Sequence, residues 1–156
     1  MMDSFDQKNA VQGVQCDLAE EILRSCGTLS LQVSGCSMLP AIWPGDTLLV
    51  DRATTSGVRE GDVILFARNR WLCAHRIVKK LDDSRFLTRG DASPQPDPVV
   101  HSQELLGRVS SIVKNEKCTV LRSSRTFFER AIAALVRHSQ LSARILLTVR
   151  SWTAIS

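Results

Sequence analysis

Short runs rich in valine, leucine and isoleucine fill the middle of the chain and are separated by residues that favour turns. The runs are TLSLQV, DTLLVDR, DVILFAR, WLCAHRIVK, RFLT, LLGRVSSIVK and CTVL, and the breaks include PGD, EGD, RNR and RGDASPQPDP. Apolar runs of this length between Gly-, Pro- and Asp-rich breaks are typical of β-strands. The pattern therefore predicts a mainly β body of seven short strands.

A short helix is predicted before this body, over residues 17–26. Asp17, with Glu20 three residues later, has the form of a capping box, and Gly27 is suited to end the helix. The apolar residues of the segment share one helical face: Leu18, Ala19, Ile22, Leu23 and Cys26. The first strand is expected directly after this helix.

The helical period returns after the strands, over residues 126–149. Its apolar residues fall on one face, and the opposite face carries Arg130, Arg137 and Arg144 at intervals of seven. Two interpretations stay open. The slightly favoured one is an amphipathic helix that packs on the β body, and the other is peripheral contact with an anionic membrane. The predicted divisions are an N-terminal segment at 1–27, a β domain at 28–122 and a basic helical extension at 123–156.

Composition and charge narrow the classes of function. The chain has 156 residues, of which 44% are hydrophobic, and its net charge is +4. This balance is mildly basic without a long run of like charge, so a nucleic-acid partner is not expected. Five cysteines without a Cys-x-x-Cys pair predict neither a zinc site nor a disulfide framework, and we expect no metal and no cofactor.

The N-terminal sequence gives an expectation about location. MMDSFDQKNAVQGVQCDLAEE is polar and acidic, without the basic start and apolar stretch of a signal peptide. No apolar stretch in the chain approaches the ~20 residues that a membrane-spanning helix requires. We therefore expect a cytoplasmic or peripheral membrane protein.

Candidate chemistry begins in the segment VSGCSMLPAIWPGD. Gly35 permits a tight turn, and Pro40 fixes the backbone soon afterwards. A serine held on such a turn, here Ser37, can present its hydroxyl to a cleft and its own N–H to a developing oxyanion. Taken alone, the segment is more typical of an ordinary loop.

Two further clusters supply a base and carboxylates. His75, in WLCAHRIVKK, shares a predicted strand face with apolar residues, where a lone histidine is more often a core residue than a catalyst. Asp91 and Asp97 lie in TRGDASPQPDP, a loop that its three prolines stiffen. A serine hydroxyl needs a base near neutral pH, and imidazole oriented by a carboxylate provides one. The three clusters contain the groups that acyl transfer requires.

Five segments, taken in order, resemble the successive motifs of type I signal peptidases. They are SGCSMLPAIWPGDTLLV, EGDVILF, AHRIVKK, FLTRGDASPQPD and LLGRVSSI, within residues 31–113. The similarity is greatest to the endoplasmic-reticulum and archaeal variant, whose base is histidine. The resemblance implies a fold of irregular, coiled antiparallel sheets. It also implies a membrane-associated serine endopeptidase that cleaves precursor peptides after small residues.

The resemblance also implies a role for individual residues. By position, Ser37 is similar to the nucleophile, His75 to the general base and Asp97 to the aspartate of the triad. Asp91 matches a second carboxylate, either structural or orienting, and Met38 resembles the residue that lines the substrate cleft beside the nucleophile. The expected partner is a peptide or precursor-protein substrate.

The sequence departs from this family around the nucleophile. Gly35 replaces a serine whose hydroxyl is a suspected oxyanion donor, and Gly-x-Ser-Met is instead similar to the repressor-type self-cleaving peptidases, relatives that use lysine. A self-cleaving regulator and a non-catalytic module of the same fold are therefore alternatives. A cysteine peptidase using Cys36 is a weaker one, because neighbouring side chains of an extended segment point in opposite directions.

Overall fold

The computed structural model describes residues 4–121, and it confirms the predicted mainly β fold. Its elements are α1 (Ser4–Cys26), β1 (Thr28–Gln32), β2 (Thr47–Arg52), a 3-10 turn (Thr55–Gly57), β3 (Val63–Arg68), β4 (Trp71–Lys80), β5 (Arg85–Arg89), β6 (Val100–His101), β7 (Leu105–Lys114) and β8 (Lys117–Val120). All seven predicted runs form strands, and β6 is an eighth that the pattern did not indicate. The predicted helix at 126–149 lies outside the described residues.

The strands form one antiparallel sheet in the order β1-β2-β7-β3-β4-β5-β6, with β8 also paired to β7. Gly107 of β7 lies opposite both Arg52 of β2 and Leu65 of β3. β7 therefore separates β2 from β3 and joins two parts of the sheet that are distant in the chain. The β1–β2 part carries the loop with Ser37, and the β3–β5 part carries His75.

The N-terminal helix is longer than the sequence predicted. It spans Ser4–Cys26, so Asp17 and Glu20 lie inside it, and the prediction that they cap its N-terminus is wrong. Val11 and Val14 are more than half exposed, so these two apolar residues do not extend the buried face by which helices are recognised. The predicted end is confirmed, because Gly27 adopts a φ of 76° and donates its N–H to the Leu23 carbonyl oxygen.

Apolar side chains pack on both faces of β3, which explains its continuous apolar run VILF. Val63 and Leu65 belong to one buried cluster, which also contains Leu23 of α1. Ile64 and Phe66 belong to a second cluster on the other face of the strand. Within residues 4–121, no helix combines the length and the hydropathy needed to cross a bilayer.

Candidate active site

Three of the predicted site residues meet in a chain of hydrogen bonds. His75 lies on β4, and its Nε2 atom is 2.9 Å from the Ser37 Oγ atom, in the loop after β1. On the other side of the imidazole, Nδ1 is 2.8 Å from Oδ2 of Asp97, in the loop after β5. Each imidazole nitrogen thus has one partner, a hydroxyl on one side and a carboxylate on the other. This is the order of groups in a Ser-His-Asp triad.

The turn that carries Ser37 is held in place by a buried side chain and by hydrogen bonds to its backbone. Met38 is 3% exposed and packs into the first core cluster, and its carbonyl oxygen accepts from the N–H of Ile42 at 3.0 Å. Lys114 Nζ donates to the carbonyl oxygen of Ala41 at 2.8 Å. Because its neighbours are fixed in this way, Ser37 has little freedom to move from the imidazole.

The loop after β5 approaches Ser37 closely, and a glycine permits the approach. Ala92 donates its N–H to the carbonyl oxygen of Ser37 at 2.8 Å. A Cβ atom on Gly90 would lie 2.7 Å from that carbonyl oxygen and 2.5 Å from Oγ of Ser93. A side chain at this position would therefore push the loop away from the nucleophile.

Asp97 is held by a residue that the sequence analysis did not single out, Thr88 of β5. The Thr88 hydroxyl donates to Oδ2 of Asp97 at 2.7 Å, and the N–H of Asp97 donates to the Thr88 carbonyl oxygen at 2.8 Å. Burial opposes ionisation of the carboxyl, but hydrogen bonds from His75 and Thr88 outweigh it and lower the pKa of Asp97. Asp97 is therefore ionised when the imidazole becomes protonated. The burial of Thr88 is a property of the fold, so the sequence offered no signal for its role.

Arg68 fixes the backbone that follows Asp97. Its guanidinium donates to the carbonyl oxygens of Pro98 and Val99 at 2.8 and 2.7 Å, and to both carboxylate oxygens of Glu104. The hydrogen bond from Arg68 is the main cause that lowers the pKa of Glu104. These charge-assisted hydrogen bonds hold the backbone after Asp97 in one position.

Asp91 has a different partner from Asp97. Its two carboxylate oxygens accept from Nε and Nη2 of Arg76 at 3.0 and 2.9 Å, and its side chain is fully buried. Arg76 also donates to the carbonyl oxygen of Gly61 at 2.7 Å. Of the two alternatives left by the sequence, this placement favours a structural role, because Asp97 already occupies Nδ1 of His75.

A cleft of about 690 Å³ opens beside Ser37 and His75. Its walls come from α1, from β1 and the residues after it, and from the first half of β4, and both Met38 and Gly35 line it. A Cβ atom on Gly35 would meet no atom within 4 Å, so the missing serine hydroxyl leaves open space. Within residues 4–121, the N–H of Ser37 has no backbone acceptor. The same residues contain no group of side chains suited to a metal ion.

One known protein family matches the part of the chain that contains the candidate site. The model of the family described as Peptidase S24-like matches residues 4–109, which include α1, both loops and the whole triad. The chain belongs to the Peptidase S24-like family. Comparison with curated proteins and with solved structures found no match.

Membership in the Peptidase S24-like family supports part of what the sequence predicted. It places the chain among serine-type peptidases and self-cleaving regulatory modules, of which some are non-catalytic. It does not single out signal peptidase I, and the ordered motifs remain a resemblance. The exposed Cys36 is not the residue that contacts the imidazole, which favours Ser37 over a cysteine nucleophile.

Proposed function

We propose that the protein is a serine endopeptidase that cleaves an extended peptide, with Ser37 as nucleophile and His75 as general base. The observation that carries the proposal is the continuous chain of hydrogen bonds from Ser37 Oγ through the imidazole to Asp97. A histidine that only fills the core does not require both a hydroxyl and a carboxylate partner. An aspartate in an ordinary solvated turn does not require a hydrogen bond to that histidine. The intact set of groups also argues against a non-catalytic module.

In the proposed reaction, His75 acts first as base and then as acid in each half of the catalytic cycle. The imidazole takes the proton of Ser37 as Oγ attacks the scissile carbonyl, and Asp97 stabilises the imidazolium that forms. The N–H of Ser37 is available to the oxyanion of the tetrahedral intermediate. The imidazolium then gives its proton to the leaving amine. Water attacks the acyl-enzyme with His75 again as base and releases Ser37.

The cleft fits an extended peptide because it lies between two strand edges. β1 ends the sheet on one side, and β5 pairs with β4 only from Arg76 onward, so within residues 4–121 the first half of β4 has a strand neighbour on one side only. Both strands run toward the Ser37–His75 pair, and a peptide between them can hydrogen-bond to either backbone. This arrangement suits a linear segment better than a folded protein surface.

The floor of the cleft supports the preference for small residues that the resemblance to signal peptidases implies. Met38, Ile42, Leu48 and Leu65 line it, and each is nearly fully buried in the core. An apolar floor formed by packed core residues resists deformation, so it does not move aside for a large side chain beside the scissile bond. We propose cleavage after small residues on this basis.

The proposal is tested by incubating the protein with a proteome-derived peptide library and identifying new termini by mass spectrometry. We expect cleavage within linear peptides, with alanine, glycine or serine before the new terminus. Autocleavage is the alternative outcome, in which the protein loses mass while the peptides stay intact. Absence of both kinds of cleavage would contradict the assignment.

We expect activity to fall on acidification because the imidazolium cannot accept the proton of Ser37. The lowered pKa of Asp97 means that its ionised form stabilises the fold above the unfolded value of about 3.9. This contribution is lost only as the pH falls through the lower, folded value. The loss of kcat/KM should therefore precede acid unfolding, which circular dichroism measures in parallel.

Thr88→Val separates these two acid effects. The variant lacks a hydrogen bond that lowers the pKa of Asp97, so acid unfolding should begin at a higher pH than in the unmodified protein. Identical acid unfolding curves would show that the Thr88 hydroxyl has no influence on Asp97. Loss of activity that only coincides with unfolding would argue against His75 as the base.

A further inference from the structure

The cleft has a wall that is not part of the β-sheet. Leu18 and Ile22 of α1 line the cleft, and so does Trp71 at the start of β4. Leu18 is 56% exposed and Trp71 is 47% exposed, although both are large apolar side chains. Apolar side chains left half exposed at a groove are available to contact a ligand, since the fold itself does not bury them.

The helix α1, which forms this wall, is packed firmly against the sheet. Ala19 and Leu23 of α1 are 4% and 2% exposed, and Leu23 belongs to the first core cluster. Nearer the N-terminus, the guanidinium of Arg70, in the β3–β4 turn, lies directly over Gly13 and fills the space that a side chain there would need. Contacts at two points along α1 hold the position of Leu18 relative to the sheet.

The wall lies at a defined distance from the reacting groups. Trp71 precedes His75 by four residues on the same strand, which corresponds to ~13 Å at the rise of an extended chain. A peptide running alongside β4 has the same rise. The residue that lies beside Trp71 is therefore about four positions from the scissile bond.

The cleft also carries little charge. Its lining contains glutamine, serine and apolar residues but no aspartate, glutamate, lysine or arginine among the described residues. A charged substrate side chain placed there would lose hydration without gaining an ionic partner. An apolar side chain would bury surface against Leu18 and Trp71.

We propose that Leu18 and Trp71 form a specificity subsite that accepts an apolar side chain about four residues from the scissile bond. The inference rests on the proposed peptidase function and adds a second requirement to the small residue at the bond itself. It makes α1 a determinant of substrate choice and not only a cover for the core.

The test compares peptides that carry leucine or asparagine in turn at each position on either side of the scissile bond of the best library substrate. We expect one position, about four residues away, at which leucine raises kcat/KM by about tenfold, a typical effect of an apolar pocket. In Leu18→Asn this ratio should fall toward one, mainly through KM. Val14→Asn is the matched control, because Val14 is 63% exposed on the same helix but does not line the cleft.

A binding measurement distinguishes failure of this inference from failure of the proposed function. Fluorescence anisotropy of the labelled peptides with the Ser37→Ala protein reports recognition without chemistry, and library peptides serve as probes if no cleavage occurs. A leucine preference that Leu18→Asn removes and Val14→Asn keeps supports the subsite, even in a protein that cleaves nothing. Equal effects of the two helix variants, or no preference at any position, would overturn it.

Discussion

Ser37→Ala should lower peptide cleavage by about 10⁴-fold or more, because no other group can form the acyl-enzyme. Cys36→Ala should retain activity, since Cys36 is exposed and the imidazole contacts the neighbouring hydroxyl. The two substitutions are adjacent in sequence and similar in size, so they form a matched pair. Initial rates on the best library peptide measure both.

The comparison also separates the chemistry from the fold. Ser37→Ala removes a partly buried hydroxyl with one side-chain partner, so its free energy of unfolding should change by only about 1 kcal/mol. Urea denaturation of both variants provides the control. If Cys36→Ala were inactive and Ser37→Ala active, the nucleophile would be the cysteine and the proposed mechanism would be wrong.

Substitution of Asp97 should affect mainly catalysis, whereas substitution of Asp91 should affect mainly stability. Asp97→Asn should lower kcat by about 10⁴-fold, because an amide neither holds the required imidazole tautomer nor stabilises the imidazolium. Asp91→Asn should instead lower the free energy of unfolding by about 3 kcal/mol, because it removes the negative charge of the buried carboxylate that is paired with Arg76.

Each variant is the control for the other. Activity per folded molecule and urea denaturation, measured on both proteins, give a two-by-two comparison in which each substitution affects mainly one quantity. If Asp91→Asn lost activity while it kept full stability, Asp91 would act on the reaction directly. If Asp97→Asn remained fully active, the hydrogen bond to His75 would have no catalytic value.

The strands were predictable because each run is bounded by residues that end strands. β6 was not, because a two-residue strand after a proline-rich loop has no periodicity to detect. The start of α1 was misplaced for a related reason, since the apolar residues Val11 and Val14 are exposed and do not extend the buried face of the helix. Local patterns thus identify elements that bury an apolar face and miss those that do not.

Some residues of the candidate site were likewise predictable from the sequence, and others were not. The residue types at Ser37 and His75 were predictable because the chemistry requires them, and ordered motifs supported them. Asp91 and Asp97 could be told apart only through the resemblance, because both are aspartates of one loop and only the fold brings Asp97 to the imidazole. The clamp of Arg68 on Pro98 and Val99 joins segments that are distant in sequence, and no local pattern indicates it.

The place of β7 in the sheet bears on when the candidate site can form during synthesis of the chain. Ser37, His75 and Asp97 all leave the ribosome before β7, yet β7 is the strand that joins the β1–β2 hairpin to β3 and β4. A nascent chain that stops before Leu105 holds every catalytic side chain without the pairing that brings them together. The proposed activity therefore requires a chain that extends through β7, and a shorter nascent chain should not cleave peptides.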